Sequence, residues 1–335
     1  MANCIGTVSE TKYKVYVPPL EIPSLDTHIA PITMTSLANA PATSLPHYSG
    51  GYGYGIIGVL IFSLTLPMSH LAVAEINPLL IGLGRAWIAA IPAGLILWLS
   101  RSRRPTPAEW RGIALAAVGV VAAWPIFSTI AMLSVPASHG AVFNGLLPLT
   151  TALFGAWRSH ERLARSFWLW ACVGAALVTG FALYAGHGSL QAGDLWLIAA
   201  VIFGGMGYAE GGRVSRTLGG WRTICWCLIG SLPFISLPTF YLAAHVSHWP
   251  SPAVLGAFAY LAFGSMFLGF FAWYKGLAIG GIARVGQVQL IQPFLTVLAS
   301  AWLFSEKVAP ITYIFAVLIV IVIAASRYAT RRPGQ

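Results

Sequence analysis

From Tyr54 onward the chain is a succession of apolar segments, each about as long as a hydrocarbon core is thick. They run over residues 54–74, 79–100, 113–133, 139–157, 167–185, 194–212, 223–244, 253–274, 285–304 and 310–327. At 1.5 Å of rise per residue, about 20 apolar residues in a helix cross a core roughly 30 Å thick. Barrel strands would instead show about 10 residues of alternating character, whereas these runs are continuously apolar. The pattern predicts an all-α membrane protein with about ten transmembrane helices, joined by short linkers rich in Pro, Gly and Ser.

Charge is too sparse for any other reading. Only 8% of the residues are charged and 57% are hydrophobic, against about 25% charged in soluble domains. The net charge of +10 does not mark a nucleic-acid partner, because the 19 basic residues lie in short clusters between apolar runs. Their placement reports topology, since cytoplasmic loops hold the excess of Lys and Arg. With the N-terminus inside, the inner segments carry all of them but two: Lys307 falls in an outer loop and Arg85 inside helix two. This predicts a multi-pass protein of the cell (inner) membrane with both termini cytoplasmic.

Residues 1–50 contain Pro18, Pro19, Pro23, Pro31, Pro41 and Pro46 and no sustained apolar run, and are expected to be disordered. They lack the basic, apolar and small-residue regions of a signal peptide, and Met34 is an alternative translation start. Residues 328–335 form a cytoplasmic tail. Cys4, Cys172, Cys225 and Cys227 have neither disulfide spacing nor companion metal ligands, so no metal or cofactor is expected.

Shifting the chain by 145 residues lays LPLTTALFGAWRSHERLA over QPFLTVLASAWLFSEKVA, and seven of 17 positions from Pro148 to Ala164 are identical. The shared set includes Pro148 with Pro293, Thr151 with Thr296, Trp157 with Trp302 and Glu161 with Glu306. Two greasy helices would share Leu or Ala by chance, but not Pro, Trp and Glu in register. A unit of five helices is odd, so its second copy enters the membrane from the other side. Loop charge agrees: Arg158, Arg162 and Arg165 around Glu161 become Leu303, Lys307 and Pro310 around Glu306. Two inverted five-helix repeats are expected, at 54–185 and 194–327.

These residues resemble the drug/metabolite transporter superfamily, specifically its ten-helix EamA-type members. The resemblance rests on the mid-helix Pro followed by Glu in helices four and nine, on Gly193-Asp194 opening the second half, and on WYKGLAIGGIARVGQVQLIQP leading from helix eight into helix nine. It implies a secondary transporter, often an exporter of amino acids, metabolites or amphipathic compounds, with a central cavity between the halves.

Polar groups on otherwise apolar helices are the candidates for that cavity. Asn144 and Gln289 occupy matched places four residues before Pro148 and Pro293, with Gln287 and Gln292 close to Gln289. These amides either line the cavity or hydrogen-bond helix to helix. Pro148 and Pro293 each remove a backbone donor and free a carbonyl one turn back, making kinks or hinges. Trp124 and Phe127 on helix three, Tyr208 on helix six, and Trp273 and Tyr274 on helix eight are placed to stack on an apolar substrate or hold an amine, the alternative being lipid-facing rings. Glu161 and Glu306 are expected to act structurally at helix ends. Arg85 is expected to snorkel outward to Glu75, the alternative being an anion site facing the cavity. The segment GGMGYAEGGR allows close helix approach or local unwinding around Glu210. Glu210 is a candidate for proton coupling or for recognising a cation, the plainer role being a pair with Arg213 one turn on.

The sequence has no GxxxxGK[ST] for ATP and no HExxH or GxSxG, so nothing in it supports an enzyme. The expectation is a carrier of small organic molecules by alternating access. The competing class is a channel or a helix-packing subunit. Partners are the bilayer, the solute, protons as coupling ion and a second copy of the chain as a dimer.

Overall fold

The computed structural model describes residues 49–159, 165–185, 191–304 and 309–330. Among them, eight helices are long and apolar enough to cross a membrane: α1 (Gly50–Ala72), α2 (Pro78–Leu99), α3 (Pro107–Ala131), α4 (Ala137–Arg158), α6 (Ala192–Leu218), α7 (Gly220–Ala244), α8 (Pro252–Gly280) and α9 (Ile282–Phe304). With α5 (Arg165–Ala185) and α10 (Pro310–Thr330) they make the predicted ten. The chain is an all-α membrane protein. The expected N-terminal extension and the two repeat glutamates, Glu161 and Glu306, lie outside the described residues.

Several helix ends differ from the hydropathy limits because caps set them. Helix α3 starts at Pro107, ahead of residue 113, since Thr106 and Glu109 form a reciprocal capping box. Helices α6 and α8 run on to Leu218 and Gly280, and each stops at a glycine with positive φ, Gly219 at 92° and Gly281 at 88°. That backbone is strained for any L side chain, and it lets the next helix start at once. Helix α6 stays helical through GGMGYAEGGR, so its glycines serve close approach and not unwinding.

The repeat is visible in burial. Thr151 and Thr296 are 0% and 1% exposed, while Trp157 and Trp302 are 71% and 82% exposed. Equal residues therefore face equal surroundings, with the Trp pair turned outward as rings of a membrane-interface belt are. Packing repeats too: α1 lies on α8 as α6 lies on α3, α9 on α1 as α4 on α6, and α2–α7, α4–α9 and α5–α10 join matched helices.

Helix irregularities fall at matched places as well. Helix α3 is π-helical over Val118–Ala123, and α8 over Tyr260–Gly269. Helix α4 breaks between Asn144 and Leu147, and α9 tightens to 3-10 over Gln287–Ile291, in each case just before the matched proline. Pro148 cannot donate to the Asn144 carbonyl, nor Pro293 to that of Gln289, so the regular ladder fails there. Pro125 does the same for Val121 inside the π segment of α3, and such segments gather at functional sites.

Candidate functional site

The irregular stretches of α1, α3, α8 and α9 converge with α2 and α6 on one small cavity. Phe62, Thr65, Arg85, Val120, Trp124, Tyr208, Ser265, Met266, Phe270 and Gln292 line it. It leaves ≈ 10 Å³ for the centre of a water molecule, near the threshold for holding one. In this conformation the space beside Arg85 is too small for an organic solute.

Helix α1 reaches the cavity through a break at Leu64, two residues after Phe62. Pro67 lacks the N–H that would bind the Ser63 carbonyl, and Thr296 Oγ1 donates to that carbonyl instead, at 2.8 Å. The neighbouring carbonyls of Phe62 and Ile61 accept from Gln292 Nε2 at 3.4 Å and from the Tyr260 hydroxyl at 2.6 Å. Thr65 and Ser265 hydroxyls share a 2.8 Å hydrogen bond across the cavity wall. Aromatic rings form one side: Phe62 lies 5.0 Å from Phe270, and Tyr208 lies 5.4 Å from Trp273.

Arg85 sits about 10 Å along α2 from its start, is 0% exposed, and stacks on Trp124 with 5.5 Å from guanidinium carbon to ring centroid. It does not reach Glu75. That carboxylate, 176 residues from its partner, accepts from Ser251 N at 2.6 Å and Ser251 Oγ at 2.8 Å. Those bonds, the backbone one first, hold the Glu75 carboxyl below the usual carboxylate range. Snorkelling is thus replaced by burial, because the serine ahead of α8 takes the expected partner.

Of the predicted cavity residues, Trp124, Tyr208 and Gln292 line the space around Arg85. Gln289, fully buried, faces the Tyr208 hydroxyl, and Trp273 backs Tyr208. Tyr274 turns away and donates its hydroxyl to the Gly207 carbonyl of α6 at 3.1 Å. Gln287 and Pro148 border a different cleft, against α5 and α10, and Pro293 borders an apolar one with Phe181 and Phe315. Asn144 is buried at the break of α4 but is not among the residues lining the central cavity. Phe127 packs on Trp196 and Phe203 of α6. Phe62 and Phe270 carry no signal in a uniformly apolar stretch, whereas Thr65 and Ser265 are polar residues on apolar helices that the sequence reading passed over, and Pro67 marks the break beside Thr65.

Helices α4 and α6 are tied at both ends. At their starts His139 Nε2 and Asp194 Oδ1 are 2.7 Å apart and buried, and Asp194 Oδ2 accepts from Gln191 N at 2.7 Å. At their far ends Glu210, fully buried, accepts from Arg158 Nε of α4 and from Arg213 Nη2 at 2.8 Å. Glu210 thus has the Arg213 partner expected from its i,i+3 spacing and a second, across the helix pair, that sequence spacing does not reveal. Beside it Glu109 takes a two-pronged bond from Arg103 at 2.7 and 2.8 Å and one from the Thr217 hydroxyl at 2.7 Å.

Asp194→Ala should lower the unfolding temperature, since it removes a cap and leaves His139 buried without its partner, a loss of about 2–3 kcal/mol. Asp194→Asn keeps the capping oxygen and should lose less. Equal melting of both variants and the parent would deny the pair any part in stability.

The EamA-like transporter family matches the chain twice, at residues 49–183 and 191–328. The chain is 41% identical over 280 residues to the uncharacterized transporter YdeK of Bacillus subtilis (strain 168), across 83% of this chain and 97% of that protein. A crystal structure of a protein superposes with a TM-score of 0.66 at 21% identity, over 86% of this chain and 99% of that one. That likeness speaks for the fold alone.

Proposed function

This chain belongs to the EamA-like transporter family, and from that premise we propose that it is a secondary carrier of small organic molecules, working as an exporter by alternating access. The observation that carries the reading is the central cavity, walled by helices of both halves: α1, α2 and α3 of the first and α6, α8 and α9 of the second. A carrier needs one site that closes on both sides, and two halves of related structure in opposite orientation supply two related gates. The ties between α4 and α6 fit those gates: His139–Asp194 on the outer side and Arg158–Glu210 on the inner, where Glu109 of α3 also accepts from Thr217 of α6. Export is favoured by the family resemblance.

This reading places the ends of α4 and α6 near Arg158 and Arg213 in the cytoplasm of a cell whose inner membrane holds the protein, with both termini on that side. A reporter active only in the cytoplasm should work when fused after Arg165 or Arg332 and fail at Gly188; reversed activity overturns the orientation. Counterflow separates carrier from channel: preloaded proteoliposomes should transiently accumulate a labelled solute, whereas a channel only equilibrates it and an enzyme converts it.

A further inference from the structure

We propose that the central cavity, in a conformation whose walls stand further apart than in this one, is a carboxylate site, in which the Arg85 guanidinium holds the carboxylate of a small organic acid and the surrounding rings take its apolar body. This rests on the carrier reading for its transport role but not for its chemistry. None of the Nε, Nη1 and Nη2 atoms of Arg85 has a hydrogen-bond partner among the described residues, although the side chain is 0% exposed. A buried cation without a counter-ion is costly, and the Trp124 face compensates it only in part.

The missing anion is not supplied by the described chain. Glu75 is taken by Ser251, Glu109 by Arg103 and Thr217, Asp194 by His139, and Glu210 by Arg158 and Arg213. Among the described residues no acidic one lines the cavity. What remains is a fork of donors beside a small cavity, joined by Trp124 Nε1, another buried donor with no partner among the described residues. A guanidinium fork matches the two oxygens of a carboxylate bidentately. One guanidinium balances one negative charge, so a phosphate dianion would stay half uncompensated, and an amine would face a like charge. Gln292 Oε1, buried and without a partner among the described residues, is an acceptor for an N–H or O–H elsewhere on the ligand. The rings of Phe62, Tyr208 and Phe270 offer the apolar wall.

The test is ligand-dependent unfolding temperature of the purified protein in detergent, with benzoate, phenylacetate and hexanoate as acids, and phenylacetamide and phenethylamine as neutral and cationic counterparts of phenylacetate. At least one acid should raise the unfolding temperature saturably, and phenylacetamide and phenethylamine should not. Arg85→Met should abolish the shift, and Arg85→Lys, which keeps the charge but not the fork, should weaken binding by about 10- to 100-fold. Without ligand, Arg85→Met should melt above the parent, because it removes an unpaired buried charge. An equal shift with the amide, a shift that survives Arg85→Met, or no shift with any of the acids overturns the carboxylate site. Exchange in proteoliposomes tells the two readings apart. An acid that binds through Arg85 but shows no counterflow above protein-free liposomes refutes the carrier and leaves the site; counterflow of a neutral solute undiminished in Arg85→Lys refutes the site and leaves the carrier.

Discussion

Gly205→Leu is expected to keep the protein from accumulating in the membrane, and Gly205→Ala to lower its unfolding temperature by a margin that heating followed by size exclusion will resolve. A Cβ at Gly205 would lie 2.2 Å from Thr150 Oγ1, 2.6 Å from its Cβ and 2.8 Å from its backbone carbonyl carbon. The hydroxyl has no free rotation with which to yield, since it donates to the Leu147 and Val201 carbonyls, each at 3.1 Å. Helix α4 would have to move off α6, at the upper end of the overpacking range or about 3 kcal/mol. The same argument covers Gly119, whose Cβ would stand 2.5 Å from the Phe203 carbonyl oxygen and 2.7 Å from Gly207 Cα. Gly256→Ala is the control: nothing lies within 4 Å of that position, and an exposed helical alanine gains about 0.5–1 kcal/mol over glycine. Similar melting of Gly205→Ala and Gly256→Ala would sink the close α4–α6 contact.

Glu210→Gln should open the inner end. The carboxylate is buried, and breaking a buried pair costs about 3–5 kcal/mol. Arg158 and Arg213 are 38% and 34% exposed and can turn to water, so the loss is discounted to about 1–2 kcal/mol. Expressed against this conformation, that is roughly a tenfold rise in the inward-open population. A cysteine at Val214, buried between α6 and α3, should then react faster from the inner side. Arg158→Gln should produce the same change, and the double variant should add little to either. If Glu210 instead carried the coupling proton, Glu210→Gln would abolish accumulation driven by a pH gradient while exchange survived. The latch reading requires that such accumulation persist. Additive effects of the two substitutions, or an unchanged reactivity, would remove the latch.

Much of the fold could be read from the chain because spanning length is a local property, and because the 145-residue shift places Pro, Trp and Glu in register. Helix irregularities were legible where proline causes them, at Pro148 and Pro293. The π segment of α8 contains no proline and could not be foreseen. The site was legible one residue at a time: polarity or aromatic character singled out Trp124, Tyr208, Gln289 and Gln292, but not which of them meet. Arg85 shows why. Its ten-residue separation from Glu75 suggested a pair, and only the packing of α8 beside the α1–α2 turn shows Ser251 occupying that carboxylate. Arg158 and Glu210 are 52 residues apart on helices whose register no single sequence states. Asn144 and Gln287 have the right chemistry but do not line the space around Arg85, and Gln287 borders the cleft against α5 and α10 instead.

The central claim is a single site opened alternately to the two sides, and Ser265→Cys tests it most directly. Ser265 lies in the cavity wall, 5% exposed and bonded to Thr65, and the measurement needs a background without the exposed Cys172. A membrane-impermeant thiol reagent, applied to one face of oriented vesicles at a time, should label the cysteine slowly from either face. With Glu210→Gln added, inner-face labelling should rise and outer-face labelling fall, because opening one gate draws population from the other. Labelling that rises from both faces together would mean a continuous pore and contradict the carrier.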